Sequence, residues 1–223
     1  MARVSFDITG SSMSSQNEYD IATATAISPG QFVKLTASKV VLALVGETGA
    51  ILGVAAESHS GAADALNLRS NGLRIKVSDS PTAVYETAAP KVTCTSGTTT
   101  TMLATGIAAF ADSDFVGGYM KLVSKVAAST NTDAVGTIYP ITGSTAASKT
   151  FTTTKTAGGA HTAGDIFEIY PPLGFAKGNL DAGISKYDLS ATAALPVKTV
   201  KLDTATGVVF MGATLHQNAN KQS

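Results

Sequence analysis

The sequence predicts a mainly β protein: small β-barrel or β-sandwich modules with short strands, few short helices and a flexible N-terminal arm. Three observations carry this. Gly, Pro and Asn-Gly turn signals recur at short intervals between apolar or alternating runs. Threonine occurs in blocks such as Thr98–Thr101 and Thr152–Thr154, and its β-branched side chain suits a pleated, half-exposed surface. Few segments hold the 3.6-residue apolar period of an amphipathic helix. Four parts follow in order: an arm over 1–27, a β module over 28–93, a second β-rich module or insertion over 94–183, and a C-terminal hairpin and tail over 184–223.

The arm is polar, with Ser11-Ser12-Met13-Ser14-Ser15-Gln16-Asn17 followed by an Ala/Thr alternation over residues 22–26. Chain ends of this composition are free unless a neighbour ties them down. At Pro29-Gly30 the character changes. Pro fixes φ and Gly supplies a permissive position, so a tight turn leads into a strand over Gln31–Leu35. Val40–Val45 is a continuous apolar run that reads as a buried strand. Glu47-Thr48-Gly49 then reads as a turn and Ile51–Ala55 as the next strand, with Gly53 marking a bulge or a close backbone approach.

Leu66–Val77 carries the strongest local signal. Asn71-Gly72 favours a type I′ turn, because both residues tolerate positive φ. A two-residue loop there sets Arg69 opposite Arg74, Leu68 opposite Ile75 and Leu66 opposite Val77. Further strands are expected over 119–123, 137–141, 149–154 and 165–170, with turns at Gly117-Gly118 and Gly158-Gly159 and a stop at Pro171-Pro172. Near the C-terminus, Val197–Leu202 and Val208–Met211 flank a Gly-containing loop and read as a hairpin. Short helices are expected over 60–67 and 101–111. A weak echo between 29–35 and 163–169 is of a kind that recurs by chance among β turns.

Composition narrows the function. The 223 residues hold 16 Lys+Arg against 16 Asp+Glu, which argues against a nucleic-acid binder with a basic surface. The most apolar stretch, 40–56, is interrupted and falls short of the ~20 apolar residues of a membrane span, so no membrane partner is expected. The N-terminus lacks the apolar run of a secretory signal, so synthesis in a cytoplasm is expected. Ala, Thr, Ser and Gly make roughly 48% of the chain and bury little area each. Such a thin private core favours an oligomer, in which partner surface replaces missing core.

No residue pattern carries recognised catalytic chemistry, so no enzyme activity and no cofactor are expected. His59, His161 and His216 lie far apart in polar or small-residue contexts and read as surface residues, without metal-ligand spacing. Asp112 and Asp114 offer hard oxygen ligands but lack the rest of an EF-hand loop, so solvated loop residues are the plainer reading. The glycines at 46, 49 and 53 are not followed by the Gly-Lys-Ser/Thr end of a phosphate loop. Cys94, the single cysteine, reads as an inert thiol.

The chain contains three arginines, and the proposed hairpin sets two of them face to face. Like charges across a ladder are destabilising unless compensated. Compensation comes either from acids of the same chain or solvent, or from an acidic surface on a partner subunit. Arg69, Asn71, Arg74 and Lys76 of the hairpin, with Arg3 and Phe6 of the arm, are the candidate interface residues.

One resemblance sharpens this. Ile27-Ser28-Pro29-Gly30-Gln31-Phe32-Val33-Lys34-Leu35, then Gly49-Ala50-Ile51-Leu52-Gly53-Val54-Ala55-Ala56-Glu57, then Gly61 and Gly72-Leu73-Arg74-Ile75-Lys76-Val77, resemble the segment order of bacteriophage capsid cement, or decoration, proteins over roughly residues 27–90. The resemblance implies a β module on the outside of an icosahedral head, acting as a homotrimer that bridges neighbouring capsomers. Its partner would be the major capsid protein. Residues 94–183 lie outside the pattern, since such cements are often near half this length. The alternative is a tail or fibre adhesin module that binds host glycan, with Tyr119, Tyr139 and Tyr170 available for sugar stacking.

Overall fold

The computed structural model describes residues 3–7, 16–22, 26–43, 49–60, 74–80, 83–107, 110–175, 179–180, 187–188, 197–213 and 217. Among them the regular structure is all strand, with no helix. The first strands are β1 (Arg3–Asp7), β2 (Gln16–Asp20), β3 (Ala26–Ile27), β4 (Phe32–Thr36), β5 (Lys39–Leu42), β6 (Gly53–Ala55), β7 (His59–Ser60), β8 (Arg74–Ser78) and β9 (Ala83–Ala88). Next come β10 (Lys91–Gly97), β11 (Thr101–Thr105), β12 (Tyr119–Ser124), β13 (Ile138–Thr145), β14 (Thr150–Thr153) and β15 (Ile166–Tyr170). The chain ends with β16 (Asn179–Leu180), β17 (Tyr187–Asp188), β18 (Val197–Asp203) and β19 (Val208–Ala213).

Strands β10–β15 form a closed antiparallel barrel in the order β10-β11-β14-β13-β12-β15. Strands β12, β13 and β14 meander and β15 returns beside β12, which is a Greek key. The pleat sorts side chains two by two. Val92, Cys94, Met102, Ala104, Met120, Leu122, Tyr139, Ile141, Phe151, Phe167 and Ile169 are buried, while Thr93, Thr95, Thr105, Thr142 and Thr152 alternate with them in solvent. The expected threonine-rich strands therefore exist, and threonine coats the outer wall.

The barrel is inserted into a second body. Strand β9 leads into it, and the β18–β19 hairpin returns to pair β19 with β9, giving a sheet of order β1-β9-β19-β18. A five-stranded sheet, β2-β8-β6-β4-β5, lies against that one. Their contact includes Phe32 and Tyr85, edge to face with ring centroids 5.1 Å apart. Phe32, Ile51 and Val54 join the main core, which runs on into the barrel. Val33, Val40, Leu52, Ala55, Ile75 and Val77 belong to a separate, smaller core. Strand β15 is buried on both faces because its outer side meets the β18–β19 turn. There Gly207 has φ 77°, and a Cβ on it would stand 3.0 Å from Glu168 Oε1.

Several expectations change. Part of the segment expected to be an arm is built into both sheets: β1 pairs with β9 and β2 with β8. Polar side chains anchor β2, since Asn17 Nδ2 lies 3.1 Å from each oxygen of buried Asp79 and the Tyr19 hydroxyl donates to the same carboxylate. The hairpin register over 66–77 is not the one formed. Val77 faces Asn17 on one side and Ala55 on the other, so neither edge is open to Leu66. The helix expected over 101–111 begins instead as β11, whose Met102 and Ala104 point inward at a two-residue period. Residues 61–67 of the other expected helix lie outside the described residues. The close approach read at Gly53 is present, because a Cβ there would meet Ser78 O at 2.0 Å.

Candidate functional site

The residues expected to form an interface fall on two different sheets. Arg3 and Phe6 lie on β1, opposite Glu86 and Val84 of β9. Arg74 and Lys76 lie on β8, and Arg69 and Asn71 lie outside the described residues. Arg74 sits opposite Asp20 of β2, and Lys76 opposite Glu18. Arg74 Nε is 3.3 Å from Asp20 Oδ1, and its Nη1 is 4.0 Å from Glu18 Oε2. The charge of Arg74 is thus met by acids of its own chain. All three side chains are well exposed, so these pairs are worth at most about 1 kcal/mol.

A different cluster is more highly organised. Three loops close one end of the barrel: Thr98–Thr100, 125–137 and 154–165. They are stitched by main-chain bonds from Ala157 N to Thr99 O at 2.7 Å and from His161 N to Thr98 O at 3.1 Å. Asp165, fully buried, accepts from Val126 N at 3.0 Å, Ser129 Oγ at 2.8 Å and Thr162 N at 3.2 Å. Gly159 allows the loops to close, since a Cβ there would stand 2.0 Å from Thr130 O.

At the centre lies His161, 2% exposed. Its ring meets Tyr139 and Phe167 edge to face, with centroids 5.1 and 5.2 Å away. Asn131 Nδ2 lies 3.2 Å from His161 Nδ1 and 3.2 Å from the Tyr139 hydroxyl, which donates to Asp133 Oδ2 at 2.7 Å. Asn131 Oδ1 accepts from Asp133 N at 2.9 Å. Lys125 Nζ donates to Asn131 O and Asp133 O, and Lys155 Nζ stands 5.2 Å from the Tyr139 ring centroid.

The electrostatics follow from this geometry. The Tyr139 hydrogen bond, foremost, holds the Asp133 carboxyl below its ordinary range. Burial pushes Tyr139 up and His161 down, the latter against the upward pull of Asp165 and Asp133. Burial also pushes Cys94 up to about 11, helped by Asp165. Among the described residues no group of three His, Cys, Asp or Glu could hold a metal ion.

The expected surface placement of His59 and His161 is therefore corrected: both are buried. His216 lies outside the described residues. Nothing local in Gly159-Ala160-His161-Thr162-Ala163 marks burial, because it arises when distant loops close over the ring. Asp114 caps the turn it sits in, accepting from Ala111 N at 2.8 Å, and Asp112 reaches the β13–β14 turn, accepting from Ala146 N at 2.7 Å. Of the three tyrosines considered for sugar stacking, Tyr139 and Tyr170 are fully buried and Tyr119 is 38% exposed. No family model matches the chain, and no curated protein or solved structure matches it.

Proposed function

We propose that the chain is a virion structural protein that decorates and stabilises a phage capsid, as a homotrimer bridging neighbouring capsomers. One observation carries the reading. The three segments behind the resemblance contribute β4, β6 and β8, which lie side by side in one sheet. They are separated in sequence, and their adjacency makes them one structural unit. The zero net charge limits repulsion between closely spaced copies. Strands β1 and β18 are the edges of the four-stranded sheet and offer main-chain pairing to neighbours, whereas the ends of β2 and β5 are bridged to each other at Ile21 and Val40. Stabilisation would come from interface buried across capsomer junctions; stable protein interfaces bury about 1,600 Å² in total.

Electron microscopy of virions purified from cells that produce the chain tests the proposal. Density for it is expected outside the head, at capsomer junctions. Location in the tail, or absence from the particle, overturns it. Binding to host cells together with tail density would establish the adhesin reading instead. Light scattering adds a cheaper check: the purified protein is expected at three times its 22.6 kDa chain mass.

A further inference from the structure

The network around His161 fixes its ring state. Asn131 Oδ1 is committed to Asp133 N, so the amide cannot turn over without losing that bond. The amide nitrogen therefore faces His161 Nδ1, which must accept, and the ring proton sits on Nε2. Nε2 is buried with no hydrogen-bond partner. A second proton on the ring would set Nδ1–H against Asn131 Nδ2–H, two donors face to face.

Burial outweighs the pull of Asp165 and Asp133 on the ring toward its charged form, and each carboxylate already accepts from other donors. Asp133, in loop 125–137, accepts the Tyr139 hydroxyl with Oδ2, and Asp165, before β15, spends both oxygens on Val126 N, Ser129 Oγ and Thr162 N. From loop 154–165, Lys155 lies over Tyr139, and Lys125, at the end of β12, holds two carbonyls of loop 125–137. Both lysines add positive charge to the same end of the barrel. Tyr139 itself stays neutral, since burial raises it.

We propose that this end of the barrel is an acid-sensitive latch: protonation of His161 breaks its contact with Asn131 and releases turn 131–133 from the ring, while Asp165 keeps the bases of loops 125–137 and 154–165 joined and the barrel strands stay paired. The two loops stay joined through buried Asp165, which holds Val126 N and Ser129 Oγ, and through the bonds of Thr130 to Ala160 and Thr162. The latch does not rest on the capsid reading. It would give an exposed barrel end two shapes, one near neutral pH and one in mild acid.

The sign follows from linkage. A histidine held below its unfolded value excludes a proton in the closed form, so closure is favoured above about pH 6.5 and weakens as pH falls toward the folded-state value. Hydrogen exchange read by NMR on the full chain tests it, with the His161 ring titrated in the same samples. Protection of the Asp133 amide, which the Asn131 side chain holds, is expected to fall about tenfold per pH unit across that window, while the Met102 and Phe167 amides keep theirs. His161→Phe preserves an aromatic ring and removes the titration, so its loop protection is expected to be flat with pH. Asn131→Asp replaces the opposing donor with an acceptor, and is expected to raise the ring's titration and keep turn 131–133 in place in acid. A ring that titrates at or above its ordinary value in the unmodified chain overturns the latch, even if a variant fails to fold. So does an Asp133 amide whose protection is as flat as that of the strands.

Discussion

At the residue scale, steric contact and burial decide. Gly53 lets β6 approach β8 so closely that a Cβ would sit 2.0 Å from Ser78 O and 3.0 Å from Asp79 Cα, both backbone. Gly53→Ala must push two paired strands apart, and a loss of about 3 kcal/mol is expected in urea unfolding. Cys94 is buried, with its thiol raised to about 11. The native protein is expected to resist disulfide reagents at pH 8 and to react at once when unfolded. The same shift makes the folded form the better proton binder. Its contribution to stability is full below about pH 9 and is lost as pH rises toward 11. Glu168 is 8% exposed and faces Lys121 Nζ at 3.7 Å, Lys91 Nζ at 4.0 Å and the Tyr170 hydroxyl at 2.8 Å. Lys121→Met leaves that carboxylate with the solvent-facing Lys91, and it also deletes the 2.6 Å bond to Thr204 O. A loss of about 2 kcal/mol is expected in the same unfolding experiment.

At the element scale, β4 needs a partner that β6 is too short to provide. Strand β6 reaches Phe32 and Val33, and beyond it Gln217 takes over. Its Oε1 accepts from Leu35 N at 2.6 Å, its Nε2 donates to Leu35 O at 3.1 Å, and its own N donates to Ile51 O at 2.9 Å. A side-chain carboxamide here acts as one more strand residue. Gln217→Ala is expected to cost about 1 kcal/mol and to speed amide exchange at Leu35 selectively. Such pairing cannot be read in sequence, because its partners stand at opposite ends of the chain. Strands β12 to β15 were legible for the converse reason: β12, the first half of β13 and β14 alternate, and Gly or Pro flanks β12 and β15. The hairpin over 66–77 misled because a local turn signal says nothing of which distant strands will claim the edges of β8. Strands β1 and β2 were hidden by their polarity, and the bonds from β2 to Asp79 explain why polarity does not keep it out of a sheet. The latch residues escaped likewise: Asn131, Asp133, Tyr139 and His161 form no motif and meet only when the barrel closes.

At the scale of the whole molecule, the barrel is contiguous in sequence and its first and last strands pair, Lys91 opposite Glu168 and Thr93 opposite Ile166. Residues 89–172 alone are therefore expected to fold and to unfold in one cooperative transition in urea. The isolated barrel should be less stable than the intact chain, because Glu168 and Tyr170 lose the cover of the β18–β19 turn. The insertion also sets an order of events on the ribosome. When β9 has emerged it can pair with β1, but its other edge waits for β19. All of the barrel is synthesised in the interval and has only local neighbours to find. The host sheet is thus the late-maturing half, and its unfinished edge at β9 is the place where a nascent chain is most open to pairing with the wrong strand.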